Sequence, residues 1–308
     1  MGRYVVRRVL QMILVFFGVT ILIYAAVYVL PGDPIQALGG DRPMSASVVR
    51  ELRDRFNLEY PLPQQYAIYM VNLLRGNLGQ DFEGENVSSL MAQRWPVTIQ
   101  LGLTAWFLQV VAGIPLGVLA ALRRGTLWDH LVLVVTTLLI SVPVFVLGYV
   151  VQLLLGVKIH LFPVAGVQQG WPRDYILPAA VLAAFGIASI ARLTRTALLE
   201  TLQADYVRTA TAKGLSRARV VLRHAFRNAL IPLVTFLGIN LGYLLGGAVV
   251  IEEVFNLPGV GQLLVTSIQQ EDGPVVVGVG TALVLIFLGM SLVVDLLYGV
   301  LDPRIRYE

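Results

Sequence analysis

The 308-residue chain contains no cysteine and only two lysines, Lys158 and Lys213. Without thiols it can build neither a disulfide framework nor a thiolate metal site, and nothing in it reports on a redox compartment. Its three histidines, His130, His160 and His224, are scattered and make no metal-ligand spacing. No Gly-Lys dipeptide occurs, so the chain has no P-loop of its own; H-E-x-x-H and G-x-S-x-G are missing as well. Both lysines fall outside the apolar stretches, which removes a Ser-Lys dyad in the membrane. No catalytic, cofactor-binding or metal-ligating set is left, and the chain reads as something other than an enzyme.

Charge is scarce too. Charged residues make up 14% of the chain and hydrophobic ones 56%, with a mean hydropathy of +0.74. That balance suits a lipid bilayer better than water. The formal charge of +4 matters less in its sum than in its sidedness, and it does not argue for nucleic acid.

Six apolar stretches carry the hydropathy: Val9 to Leu30, Val97 to Leu122, Leu131 to Val157, Ile176 to Ile190, Leu230 to Ile251 and Val275 to Val300. The first follows an Arg-bearing start but is too long for the h-region of a signal peptide, so it reads as a retained span. The fourth is short unless it runs on through Ala191 to Leu199, with Arg192 and Arg195 snorkelling to the interface. Placing the N-terminus in the cytoplasm puts 15 of the 23 basic residues inside with five acidic ones, and eight basic with thirteen acidic outside. The positive-inside rule therefore gives six transmembrane helices with both termini cytoplasmic.

The organisation expected is a tail and first span over 1–30, an extracytoplasmic helical subdomain over 31–96, and a core over 97–308 with five spans. Within the subdomain, "SASVVRELRDRF" starts at Ser45 or Ser47 as N-cap and stops before Asn57; a second helix runs from Gln64 to Leu74. The outer stretch Glu252 to Pro274 includes "EEVFNLPGVGQL", with a tight turn at Pro258, Gly259 and Gly261. Pro115 and Pro143 interrupt the second and third spans. Asp295 is the one carboxylate inside a span, close enough to the inner interface to serve as an anchor. Gln109, Thr136, Thr137, Ser141, Gln152, Thr235 and Asn240 are neutral polar residues within spans. Each can line a passage or tie helices together, and tying is the expected role for any one of them.

One cytoplasmic segment stands apart, "DYVRTATAKGLSRARVVLRHAFRNALIP", residues 205–232. Asp205 can cap a short helix from Tyr206 to about Lys213, and Gly214 is a natural left-handed stop. Ser216 can cap a second helix with Ala218, Leu222, Ala225, Phe226 and Ala229 as its apolar stripe. Two short helices meeting at Gly214, with Leu215 exposed at the corner, form a knob suited to a partner protein. A basic helix lying on anionic lipid is the rival reading, and the glycine break disfavours it.

Several segments together resemble the permease subunits of ABC importers of the dipeptide, oligopeptide and nickel class: "RYVVRRVLQ", "VLPGDP", "LPQQYAIYMVNLLRGNLGQDF", "RWPVTIQLGLTAWFLQVVAGIPLGVLAALRRGTLWD", "DYVRTATAKGLS", "RHAFRNALIPLVT", "EEVFNLPGVGQLL" and "DLLYGVLDPRIR". The likeness runs through nearly the whole chain and is strongest to dipeptide permeases. It implies the type I ABC importer permease fold, all-α and polytopic, in a bacterial cytoplasmic membrane. It also implies that residues 200–228 hold an EAA-type coupling loop seated in a separate ATPase, with Asp205, Tyr206, Ala210, Ala212, Lys213, Gly214 and Leu215 as coupling residues. The Glu-Ala-Ala head reads Arg208-Thr209-Ala210 here, and Pro232 lies farther from the glycine than the closing proline of the general pattern. The implied partners are a homologous second permease, ATP-binding subunits that hold ATP and Mg, and an extracytoplasmic substrate-binding protein. Peptides are the favoured substrate; nickel chelates, haem and other small solutes use similar machinery. A secondary transporter is the rival class, and the lack of central carboxylates counts against it.

Overall fold

The computed structural model describes residues 2–29, 35 and 45–301. The sequence expectations for Asp302, Arg304, Arg306 and Glu308, and for 30–34 and 36–44, lie outside the described residues, as does the side chain of Asp295.

The regular structure of the described chain is helical, with an isolated bridge between Gln80 and Asn86. In order, the helices are α1 (Gly2–Tyr28), α2 (Ala46–Arg55), α3 (Leu62–Leu74), α4 (Val87–Leu108), α5 (Ile114–Leu122), α6 (Leu127–Ser141), α7 (Val144–Val151), α8 (Arg173–Leu202), α9 (Asp205–Ala212), α10 (Arg217–Arg219), α11 (Phe226–Gly247), α12 (Val249–Val254), α13 (Val260–Gln269) and α14 (Gly273–Leu301). Wide π-type turns at Gln109–Gly113, Gln152–Lys158 and Val220–Ala225 join α4 to α5, extend α7, and join α10 to α11. Among the described residues, five stretches are long and apolar enough to cross a membrane: Val6–Tyr28, Val87–Leu122, Arg173–Leu202, Arg217–Leu245 and Gly273–Val293. A sixth is made only if α6 and α7 with its π extension, which meet at 102°, count as one.

Two compact units divide the chain, one built from 1–98 and 258–292, the other from 99–257 and 293–308. In the first, α1 packs on α3 through a tyrosine cluster: the Tyr24 ring lies 5.6 Å from Tyr66 and 5.8 Å from Tyr69, and the Thr20 and Tyr66 hydroxyls hydrogen-bond at 2.8 Å. Helix α2 opens after Ser45 and α3 after Pro61, close to the starts read from the sequence. Val87, Met91, Val260, Leu263, Val275 and Val279 make an apolar core, and the Thr98 hydroxyl accepts the leading Val260 N–H of α13 at 2.9 Å. Much of the rest of α1 is exposed. Only 11% of its apolar window is buried, and Leu10, Leu14 and Leu22 stand open. A surface of that kind is stable only against lipid or another apolar chain.

Helix α8 is the centre of the second unit, with 61% of its apolar window buried. It crosses the α4–α5 run where small residues allow close approach: a Cβ on Gly113 would stand 2.9 Å from Ile190, and one on Gly117 would overlap Ala191 and Thr194. The fourth span runs on past Ile190, as the reading through Ala191 to Leu199 allowed, and is unbroken from Arg173 to Leu202. The fifth does not start at Leu230: the helix reaches back through the π turn to Arg217, and it passes through Pro232. The third is not one straight span, because Pro143 follows an extended Val142 and starts a new axis.

Candidate functional site

Helix α9 follows α8 after a two-residue break, with Ala204 in extended backbone as its N-cap. Asp205 is thus the first helical residue and makes no capping bond, unlike the cap drawn from the sequence; its charge still sits favourably at the positive end of the helix. The far end closes as the sequence suggested. Lys213 is the C-cap and Gly214 takes φ +79°. Its N–H donates to Thr211 O at 2.9 Å, and the Leu215 N–H reaches back to Ala210 O at 3.4 Å, the paired bonds of a Schellman turn. A Cβ on Gly214 would meet nothing within 4 Å, so the backbone angle and not space calls for glycine.

What anchors this hairpin is its apolar underside. Val207 and Ala210 from α9 join Val220, Ala225, Ala229 and Leu233 in one buried cluster with Ala197 and Leu198 of α8. Leu215 packs against that cluster and is half-buried, so it is not the exposed corner expected of it. The rest of the surface faces out. Asp205, Ala212, Lys213 and Gly214 are exposed, and Tyr206 is 44% accessible, an aromatic ring on a charged surface. Among the seven residues drawn from the sequence, two therefore hold the hairpin and five present a face.

The second arm differs from the short helix expected. Its apolar stripe was placed on Ala218, Leu222, Ala225, Phe226 and Ala229, but Ala218 is exposed and Leu222 is 65% accessible. The π turn at Val220–Ala225 inserts one residue into the helical repeat, which rotates everything upstream by about 100° relative to α11. Val220 and Val221 take the buried positions instead.

Beside the hairpin, the sequence concealed an ion pair. The Arg195 Nε and Nη2 donate to the two carboxylate oxygens of Asp129 at 2.7 and 2.9 Å, and Gly125 N–H adds a third bond at 2.9 Å. This ties the first turn of α6 to α8, and Asp129 is only 2% exposed. The sequence suggests Arg195 snorkelling to the interface; its guanidinium instead turns onto Asp129. The available signal was one acidic residue in a run of basic ones at the start of a span, and 66 residues separate the partners.

An apolar multi-helix chain with a basic hairpin braced on a long buried helix matches known transport components. Residues 113–307 match the family described as "Binding-protein-dependent transport system inner membrane component", and residues 1–102 match the N-terminal part described for the same systems. The chain belongs to this family. It is a multi-pass inner-membrane component of the ABC permease type. The di/tripeptide transport system permease protein DppB of Pseudomonas aeruginosa is 40% identical over 99% of both chains. The dipeptide transport system permease protein DppB of Escherichia coli is 36% identical over the whole of both. Among solved structures, an inward-facing form of the MetNI methionine ABC transporter superposes with a TM-score of 0.55 at 20% identity, over 70% of this chain and 97% of that one. At that identity the likeness shows a common fold.

Proposed function

We propose that this permease is one half of the translocation pathway of an ATP-driven importer of di- and oligopeptides, completed by a homologous second permease. In this reading α6 and α7 with its π extension form one broken span, which makes six, and both termini are cytoplasmic. ATP and Mg are held by separate ATP-binding subunits, this chain carries no cofactor, and an extracytoplasmic binding protein delivers the peptide to the outer face. The exposed hairpin face, with Asp205, Tyr206, Ala212, Lys213 and Gly214 set above Ala210 and Leu215, docks on an ATPase. Movement of that subunit is transmitted to the spans through α8 and α11, between which the hairpin is packed.

The observation that carries this reading is the hairpin's construction within a chain of this family: apolar underneath, open on top, and shaped by one left-handed glycine. A helix resting on lipid would turn its apolar face outward, and here that face is buried. Peptide is favoured over metal chelates or haem by the named relatives, both of which are described as transporting peptides.

Tyr206 tests the docking because it is exposed and contributes nothing to the buried cluster. Tyr206→Ala is expected to leave membrane insertion intact, to release the ATPase on affinity purification, and to lower ATP-driven peptide uptake at least tenfold, in line with aromatic anchors at interfaces. Full ATPase retention and full uptake in that variant would remove the hairpin from the interface.

A further inference from the structure

Seven neutral polar side chains lie inside the apolar stretches of the second unit, and five of them find partners nearby. Thr136 and Thr137 bond to Leu133 O, Ser141 to Thr137 O and Thr235 to Ile231 O, each within its own helix. Gln152 reaches across to Val164 O at 2.7 Å. Gln109 and Asn240 do otherwise. They are 1% and 8% exposed, yet Gln109 Oε1 and Asn240 Oδ1 accept no hydrogen bond among the described residues.

Both line the same cavity of about 320 Å³, formed where α6 breaks into α7 and walled by Leu139, Val142, Pro143, Phe185 and Tyr243. Among the described residues no charged side chain lines it. The floor is fitted to Gln109: a Cβ on Gly186 would overlap its amide, so the glycine gives that group its place. At the break, the last-turn carbonyls of α6 have no onward helical donors. An amide oxygen left unmet in apolar surroundings costs free energy, and buried polar groups normally have partners. A side-chain amide turned about its last bond offers N–H in place of C=O, so each residue presents one unmet hydrogen-bonding atom either way.

We infer that this cavity is a binding site for a peptide group in transit, with Gln109 and Asn240 pairing its backbone N–H or C=O. The inference rests on the peptide-import reading above and adds the site at which the permease itself holds its cargo. Amide side chains recognise a peptide bond whatever its flanking side chains, and the apolar wall takes those side chains without selecting among them. The volume lies within the range of small-molecule pockets and accommodates a dipeptide. The lack of charge leaves the peptide's termini unpaired here, so the cargo is held weakly enough to leave.

The test uses the complete transporter in liposomes, with its partner subunits and binding protein, and dialanine as the probe. In Gln109→Leu and Asn240→Leu, the number of dialanine molecules moved per ATP hydrolysed is expected to fall about fivefold or more, the effect of one lost hydrogen bond to cargo. An unchanged ratio, whether uptake and hydrolysis stay level or fall together, overturns the inference, because the residues then serve only packing. The cysteine-free chain allows a second measurement. In Ala184→Cys, which puts a single thiol on the cavity wall, dialanine is expected to slow modification by a small cationic methanethiosulfonate during turnover. A thiol that stays inert with and without dialanine means that lipid or the partner permease fills the cavity, and this also overturns the inference. If the unmodified transporter takes up no dialanine, the peptide reading falls, and this occupant falls with it. Uptake that persists in both leucine variants at the original ratio removes the cavity alone.

Discussion

Removing the Arg195 guanidinium would leave the Asp129 carboxylate buried with a single backbone N–H, from Gly125, as its donor. Breaking a fully buried pair costs about 3–5 kcal/mol, and the partial exposure of Arg195 lets water relieve some of that, so Arg195→Ala is expected to lose about 2–3 kcal/mol. The unfolding midpoint in detergent reads it. Arg195→Lys should lose less, since it keeps the charge but not the two-pronged geometry. A second carboxylate behaves oppositely. Burial pushes Asp272 up to about 6, helped by the charges of Asp81 and Glu83, while the N–H of Val275 pulls the other way. The folded protein then holds this proton more tightly than the unfolded chain does. Its contribution to stability is fully present below the ordinary value of 3.8 and is lost as pH rises through about 6. The midpoint in detergent should therefore be higher at pH 5 than at pH 7 from this group, and Asp272→Asn, which keeps an acceptor for the Val275 N–H, should flatten that difference.

Among the elements, the π turns explain most of what the sequence misled about. A 3.6-residue period assigned Leu222 to the buried stripe, but one inserted residue turned it outward. Deleting Leu222 should restore an ordinary helical register and swing α9 and Gly214 by about 100° about the axis of α11. The expected result is a chain that inserts normally and fails to retain the ATPase, whereas Leu222→Ala, which keeps the count, retains it. Co-purification separates the two variants. Prolines were a more reliable guide than periodicity at Pro143, where the axis turns through 102°, and no guide at all at Pro178 and Pro232, which lie inside unbroken helices. A proline reports a missing N–H; whether the helix breaks there depends on neighbours that only packing reveals.

Over the whole molecule, the all-helical class, the approximate apolar segments and the family likeness were legible because each is written in local composition. Gly214 was legible for the same reason, since a left-handed C-terminal turn has a one-residue signature. The start of the fifth span was not, because its apolar run begins at Leu230 whereas the helix reaches back through basic residues to Arg217; and although α8 was readable past Arg195, the partner that carries that charge lies 66 positions away. The division into two units, with residues 258–292 returning to the N-terminal part, has no compositional marker either. Gln109 and Asn240 were visible as polar residues in apolar stretches, but five others looked the same. Only their partners, or the want of them, separated the two groups.

The crossing of α8 over Gly113 and Gly117 also has a mechanical meaning. Thr194, at that contact, lies eight residues from the Leu202 end that leads into the hairpin and sixteen from Pro178 on the other side. At 1.5 Å per residue the two arms are about 12 and about 24 Å long. In the proposed coupling, with the glycine crossing as fulcrum, a displacement of the short arm would be roughly doubled on the long one. Cavity residues Val181, Leu182 and Phe185 sit on that long arm.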